Sequence, residues 1–311
     1  MSHALFIVGH GTRDPEGQRE CARLLEVVRE RRPGTRVELG YLELCPPPIT
    51  DVVAELAADG VDDVTVVPLV LLGAGHAKGD VPAAIERERR RRPEMSFRYA
   101  RPLGIRPELL ATVDERVRTA VSAPDREDTA VVLVGRGTSD PDANGDLHKI
   151  ARLLWEGRPW RDVEPAFVSL TQPSVTDALE RCRRLGATRI AVAPYFLFTG
   201  VLERRIREQT AAWAADHPDV EVVDAGYLGP DVAVADLVLA RADEARAGAA
   251  IANCDTCQYR VALPGFEERV GAPQTLHEHP HDPGTHDHHH GHDHHHDHDH
   301  LPTGATAGDR G

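Results

Sequence analysis

The chain is written twice. Leu5–Pro15 reads LFIVGHGTRDP and Val131–Pro141 reads VVLVGRGTSDP, which sets Gly9 against Gly135 at an offset of 126 residues. The same offset aligns Tyr41–Asp51 with Phe167–Asp177, Gly60 with Gly186, and Pro68 with Pro194. Two short loops that were alike by chance would not hold one register over so long a stretch. The chain is therefore read as a duplicated unit of ordinary domain size.

Each unit has an α/β pattern. In the first, apolar and β-branched runs at Ala4–Gly9, Arg36–Leu42, Asp63–Leu71 and Ser96–Arg101 alternate with helical patterns at Glu16–Arg31, Ile49–Asp59, Val81–Arg91 and Pro107–Val121. The second repeats the strands near Ala130–Val134, Val163–Leu170, Arg189–Tyr195 and Val220–Asp224, and its last helix falls near Asp231–Arg246. Runs this uniformly apolar predict strands buried on both faces, hence a parallel sheet flanked by helices in each half. The expected division is 1–124 and 125–250 for the two units, 251–275 for a Cys-x-x-Cys segment, and 276–311 for a tail.

Composition narrows the function. The formal net charge of −14 excludes the basic footprint of a nucleic-acid binder. The opening MSHALFIVGHG has neither a basic n-region nor a cleavage site, and no run reaches the ~20 apolar residues of a membrane span. A cytoplasmic protein that meets neither nucleic acid nor membrane is expected. An odd count of five cysteines argues against a disulfide framework; Cys21, Cys45 and Cys182 are read as buried small hydrophobes.

In parallel α/β sheets, ligands sit beyond the carboxyl ends of the strands. The loops Gly9–Pro15, Glu43–Pro48 and Leu72–Gly79 should then carry the chemistry, and they contain His10, Glu43 and His76. Two imidazoles and a carboxylate suit a first-row divalent metal with positions left open. In the second half His10 becomes Arg136, Glu43 becomes Ser169, and the third loop has no histidine. Only the first half keeps metal-capable residues, so the second is expected to close the cleft and contribute binding groups.

Gly9-His10-Gly11-Thr12-Arg13, the Tyr41–Pro48 segment with its glutamate, Pro68–His76, the repeat, and a Cys-x-x-Cys before a His-rich tail together resemble the CbiX-type sirohydrochlorin chelatases in their long form. The resemblance implies two chelatase-like domains facing each other across a cleft, and insertion of a divalent metal into sirohydrochlorin. Co²⁺ on the way to cobalamin is the expected metal, with Fe²⁺ or Ni²⁺ as alternatives. It assigns His10 and His76 to handling metal, with Glu43 as their acidic companion. Chelation expels two pyrrole protons, and neutral imidazoles serve both as ligands and as proton acceptors near pH 7. For the carboxylates of sirohydrochlorin, Arg13, Lys78 and Arg136 are the candidate cations.

Cys254 and Cys257 supply two thiolates where a cluster or structural zinc usually takes four ligands. A 4Fe–4S cluster, zinc, a redox dithiol and no function all stay open. The chain is expected to be a monomer, or a dimer if the cysteines share a cluster. The tail interleaves aspartate with histidines that include His288, His289, His290, His294, His295 and His296. It is expected to be disordered and to gather metal without selecting it. Two other classes compete: a non-enzymatic metal-storage or metallochaperone protein, and a phosphoryl-transfer enzyme prompted by Gly135-Arg136-Gly137. The second lacks a Gly-x-x-x-x-Gly-Lys-Ser/Thr loop.

Overall fold

The computed structural model describes residues 2–251, 256–259 and 262–271. The first half runs β1 (His3–Gly9), α1 (Pro15–Arg31), β2 (Arg36–Tyr41), α2 (Ile49–Ala58), β3 (Asp63–Pro68), α3 (Val81–Arg91), β4 (Ser96–Tyr99) and α4 (Pro107–Ala120). The second runs β5 (Thr129–Gly135), α5 (Pro141–Trp155), β6 (Asp162–Phe167), α6 (Val175–Arg184), β7 (Arg189–Pro194), α7 (Val201–Asp216), β8 (Glu221–Asp224) and α8 (Val232–Arg246). Each half forms a four-stranded sheet, ordered β2-β1-β3-β4 and β6-β5-β7-β8, with every pairing parallel.

The repeat persists in backbone detail. Leu44 and Leu170 both take positive φ, and cis peptide bonds occur at Pro46–Pro47 and Gln172–Pro173, each pair separated by the same 126 residues. Helices α1 and α5 open on aspartate caps: the Asp14 carboxylate accepts from Glu16 N and Gly17 N, and that of Asp140 from Asp142 N.

Alternation along the strands sorts the core. Ala4, Phe6 and Val8 face α2 and α3 on one side of the first sheet, and Ala130, Val132 and Val134 face α6 and α7 in the second. Leu5, Ile7, Val131 and Leu133 point the other way, into one apolar cluster shared by both halves. The last helix of each half crosses over to build this shared core. Helix α4 packs on β7 and α5, while α8 packs on α1, β3 and β4.

Polar contacts follow the same exchange. Trp160 Nε1 donates to Asp114 of α4 at 2.9 Å, and Arg101 pairs with Glu244 of α8 at 2.9 Å. The guanidinium of Arg241 on α8, 1% exposed, donates to the Leu103 carbonyl and to Glu244.

Candidate active site

The first two loops are aligned by hydrogen bonds that continue the β1–β2 ladder past the strand ends. Leu42 N donates to Gly9 O at 2.9 Å and Glu43 N to His10 O at 3.0 Å. This sets Glu43 beside His10, and His10 Nε2 lies 3.0 Å from Glu43 Oε1. The other ring nitrogen, Nδ1, lies 3.3 Å from Gly11 O.

The third segment departs from the expected open loop. His76–Asp80 coils into one π-helical turn that runs straight into α3. Such turns recur at functional sites because they re-aim side chains. Here the turn brings Asp80 against its own first residue, with His76 Nδ1 2.6 Å from Asp80 Oδ2. Sequence reading missed Asp80. Its signal was a carboxylate four residues after the histidine, which has meaning only once that stretch is known to be helical.

The two imidazoles meet edge to face with ring centroids 4.5 Å apart. Each is backed by one carboxylate, the arrangement that fixes ring orientation in metal sites. Burial, then the neighbouring His76 ring and the Arg136 guanidinium, hold the His10 pKa below its ordinary value, against the opposing pull of Gly11 O and Glu43. Neutral His10 therefore predominates near pH 7, as a ligand for a cation requires. Among the described residues no three His, Cys, Asp or Glu side chains already surround one point. The site is an open pair of imidazoles rather than a closed cage.

Both histidines line a cleft of about 890 Å³ between the halves. Its walls are largely apolar, with Leu44, Leu71 and Leu72 from the first half and Phe167, Phe196 and Phe198 from the second. Arg136, the repeat partner of His10, is exposed and lines the second-half wall, while Arg13 lines the rim. Neither has an ion-pair partner among the described residues.

Lys78 corrects an expectation. It is 17% exposed and does not line the cleft, and its ammonium is engaged by Asp140 at 2.8 Å and Asp142 at 2.9 Å. Burial alone would lower its pKa, but the two carboxylates outweigh it and the pKa is raised. An ammonium satisfied in this way is not a free cation for substrate.

Cys21, Cys45 and Cys182 are buried free thiols, and burial pushes Cys21 up to about 11. Cys257 is also buried, and its neighbour Thr256 donates a hydroxyl hydrogen bond to Asp142 at 2.5 Å. Cys254 and the tail histidines His288, His289, His290, His294, His295 and His296 lie outside the described residues.

Comparison with known proteins places this geometry. A sirohydrochlorin cobaltochelatase of Priestia megaterium is 42% identical over 267 residues, 85% of this chain and 86% of its own. A sirohydrochlorin ferrochelatase of Bacillus subtilis is 34% identical, covering 74% of this chain and 86% of the relative. The structure of SirB from Bacillus subtilis with Fe³⁺ superposes with a TM-score of 0.70 at 34% identity, over 80% of this chain and 97% of that one. The CbiX family profile matches twice, over residues 4–120 and 130–245. The duplicated parallel sheets and the cleft between them are those of a two-repeat chelatase, and the chain belongs to the CbiX family.

Proposed function

We propose that this protein is a sirohydrochlorin chelatase that inserts a divalent metal, Co²⁺, into sirohydrochlorin with release of two protons. The observation that carries the reading is the pair of facing imidazoles, each backed by a carboxylate, lining an apolar cleft of macrocycle size. The 42% identity to a cobaltochelatase supports cobalt as the metal.

The chemistry follows from the ring nitrogens. Asp80 occupies Nδ1 of His76, so Nε2 is the atom offered to a metal. At His10, Nδ1–H donates to Gly11 O, which leaves Nε2 facing Glu43 Oε1 across 3.0 Å. A lone pair facing a carboxylate oxygen is a slot for a cation, either a proton or a metal. The incoming M²⁺ is held by His10 and His76, with Glu43 as their acidic companion. As it passes to the four pyrrole nitrogens, each displaced N–H proton moves to an imidazole nitrogen that the metal has vacated. Charge balances, since two protons replace one divalent ion.

The apolar walls hold the faces of the macrocycle, and Arg136 and Arg13 pair with its peripheral carboxylates. The first half does the chemistry and the second closes the cleft. Among the described residues no helix is long and apolar enough to cross a membrane. The His-rich tail gathers metal. Removing residues 276–311 should leave turnover unchanged at saturating Co²⁺ and lower it when Co²⁺ is scarce.

Ferrochelation is the second reading, favoured by the 34% identity to a ferrochelatase. Anaerobic absorbance of sirohydrochlorin with Co²⁺, Fe²⁺ or Ni²⁺ ranks the metals. Wild-type acceleration that collapses in His10→Ala and His76→Ala is expected. No acceleration over the free-solution rate with any metal would leave a metal-binding protein as the better account. A 4Fe–4S cluster on Cys254 and Cys257 is a separate proposal. Iron and sulfide analysis of anaerobically purified protein decides between cluster, zinc and free thiols, and gel filtration shows whether two chains share it.

A further inference from the structure

The second half carries none of the proposed metal donors, yet it grips both segments that do. Lys78, two residues after His76 in the π turn, holds Asp140 and Asp142 of the second half. Asp14, which ends the His10 loop, is held by Arg204 of the second half. These are one contact made twice. Lys78 and Arg204 stand 126 residues apart, as do Asp14 and Asp140. Each cation reaches from the third connecting segment of its own half to the aspartate that caps the first helix of the other half. Both aspartates are almost fully buried, with side chains 6% and 1% exposed.

The segment after His10 is fixed from the same side a second time. Glu20 on α1 is buried and accepts from Thr199 N at 2.8 Å and from the Tyr227 hydroxyl at 2.6 Å, both in the second half. Gly17 passes so close that a Cβ there would stand 2.8 Å from Thr199 O.

We infer that Lys78 and Arg204 are positioning residues for the metal imidazoles: the second half aligns His76 through Lys78 and His10 through Arg204 and Asp14. Ion pairs with buried carboxylates have little freedom, and a metal donor displaced by an ångström loses much of its effect. Outer partners of metal ligands typically alter affinity 10- to 100-fold. This rests on the reading that His10 and His76 hold the metal.

The test is steady-state metallation by the full-length protein, giving kcat and separate KM values for Co²⁺ and sirohydrochlorin, alongside thermal unfolding. The variants are Lys78→Met, Lys78→Arg, Arg204→Met and Arg204→Lys, with His76→Ala as reference. The tail is common to all, so differences between variants report on the cleft. Both methionine variants should raise KM for Co²⁺ tenfold or more and lower kcat, with KM for sirohydrochlorin near wild type. The charge-retaining variants should recover most of the loss.

Methionine variants that only lower the unfolding temperature would make these pairs simple struts and overturn the inference. A rise confined to KM for sirohydrochlorin would overturn it by making the two residues substrate contacts. If His76→Ala kept the wild-type KM for Co²⁺, the site reading itself would fall. If His76→Ala lost Co²⁺ while both methionine variants kept it, only the positioning role would.

Discussion

Gly11 and Glu43 lie backbone to backbone: a Cβ on Gly11 would stand 1.8 Å from the Glu43 carbonyl oxygen, and φ at Gly11 is +99°. Gly137 stands in the same relation to Ser169, at 1.9 Å and φ +85°. Gly11→Ala and Gly137→Ala should therefore destabilise the fold similarly, by more than about 1 kcal/mol each. They should differ in function. Gly11→Ala pushes Glu43 away from His10 and should raise KM for Co²⁺, whereas Gly137→Ala disturbs only the Arg136 wall and should raise KM for sirohydrochlorin. Thermal melts and the two KM values check both.

Asp80→Asn keeps the shape of the side chain but removes the charge that orients His76 through Nδ1. Metal affinity should fall roughly 10- to 100-fold, the usual effect of removing a carboxylate behind a ligating histidine. The apparent KM for Co²⁺ reads this out, and an unchanged value would remove Asp80 from the site.

Arg136→Ala takes away an exposed cation that faces the His10 side of the cleft. KM for sirohydrochlorin should rise about tenfold, as loss of a charge-assisted contact of roughly 1.5 kcal/mol implies. KM for Co²⁺ should be the same or slightly lower, because Arg136 repels cations from the site. The effect should shrink as salt is raised.

Stability should fall in acid through Glu244. Hydrogen bonding from Arg101, followed by Arg241, depresses its pKa to about 2, against 4.5 for an ordinary glutamate. The folded state therefore binds fewer protons than the unfolded one between these values. Discounted for solvent screening of a partly exposed pair, the contribution is on the order of 2 kcal/mol or less; it is complete above pH ~4.5 and is lost as pH falls towards 2. Glu244→Gln should lower the unfolding temperature at pH 7, and the gap from wild type should close at acid pH. Arg241→Leu takes the guanidinium from the buried Leu103 carbonyl and leaves Glu244 to be held by Arg101, and should cost about 2 kcal/mol by chemical denaturation.

Sequence order made the parallel sheets and the loops bearing His10, Glu43 and His76 readable, because a strand end and the residue after it are local facts. The repeat adds a register that aligns Arg136 with His10 from sequence alone. Lys78 was misread as a rim cation because its partners, Asp140 and Asp142, lie in the other half, and sequence distance hides them. Asp80 escaped because glycines at 73 and 75 mark a loop, while the turn that follows them is helical. The crossing of α4 and α8 was equally invisible: an amphipathic helix shows that it has an apolar face, not which sheet that face covers.

That crossing has a consequence for how such a chain arises. Two identical copies that trade their terminal helices form a domain-swapped dimer, in which neither copy closes its core alone. Joining them through residues 121–128 would turn that trade into the arrangement of α4 and α8 seen here. Once fused, the two copies no longer depend on concentration to find each other. They are also free to diverge, so one could lose its donors while the other kept His10 and His76. A protein cut within this linker should yield two fragments that fold only when mixed.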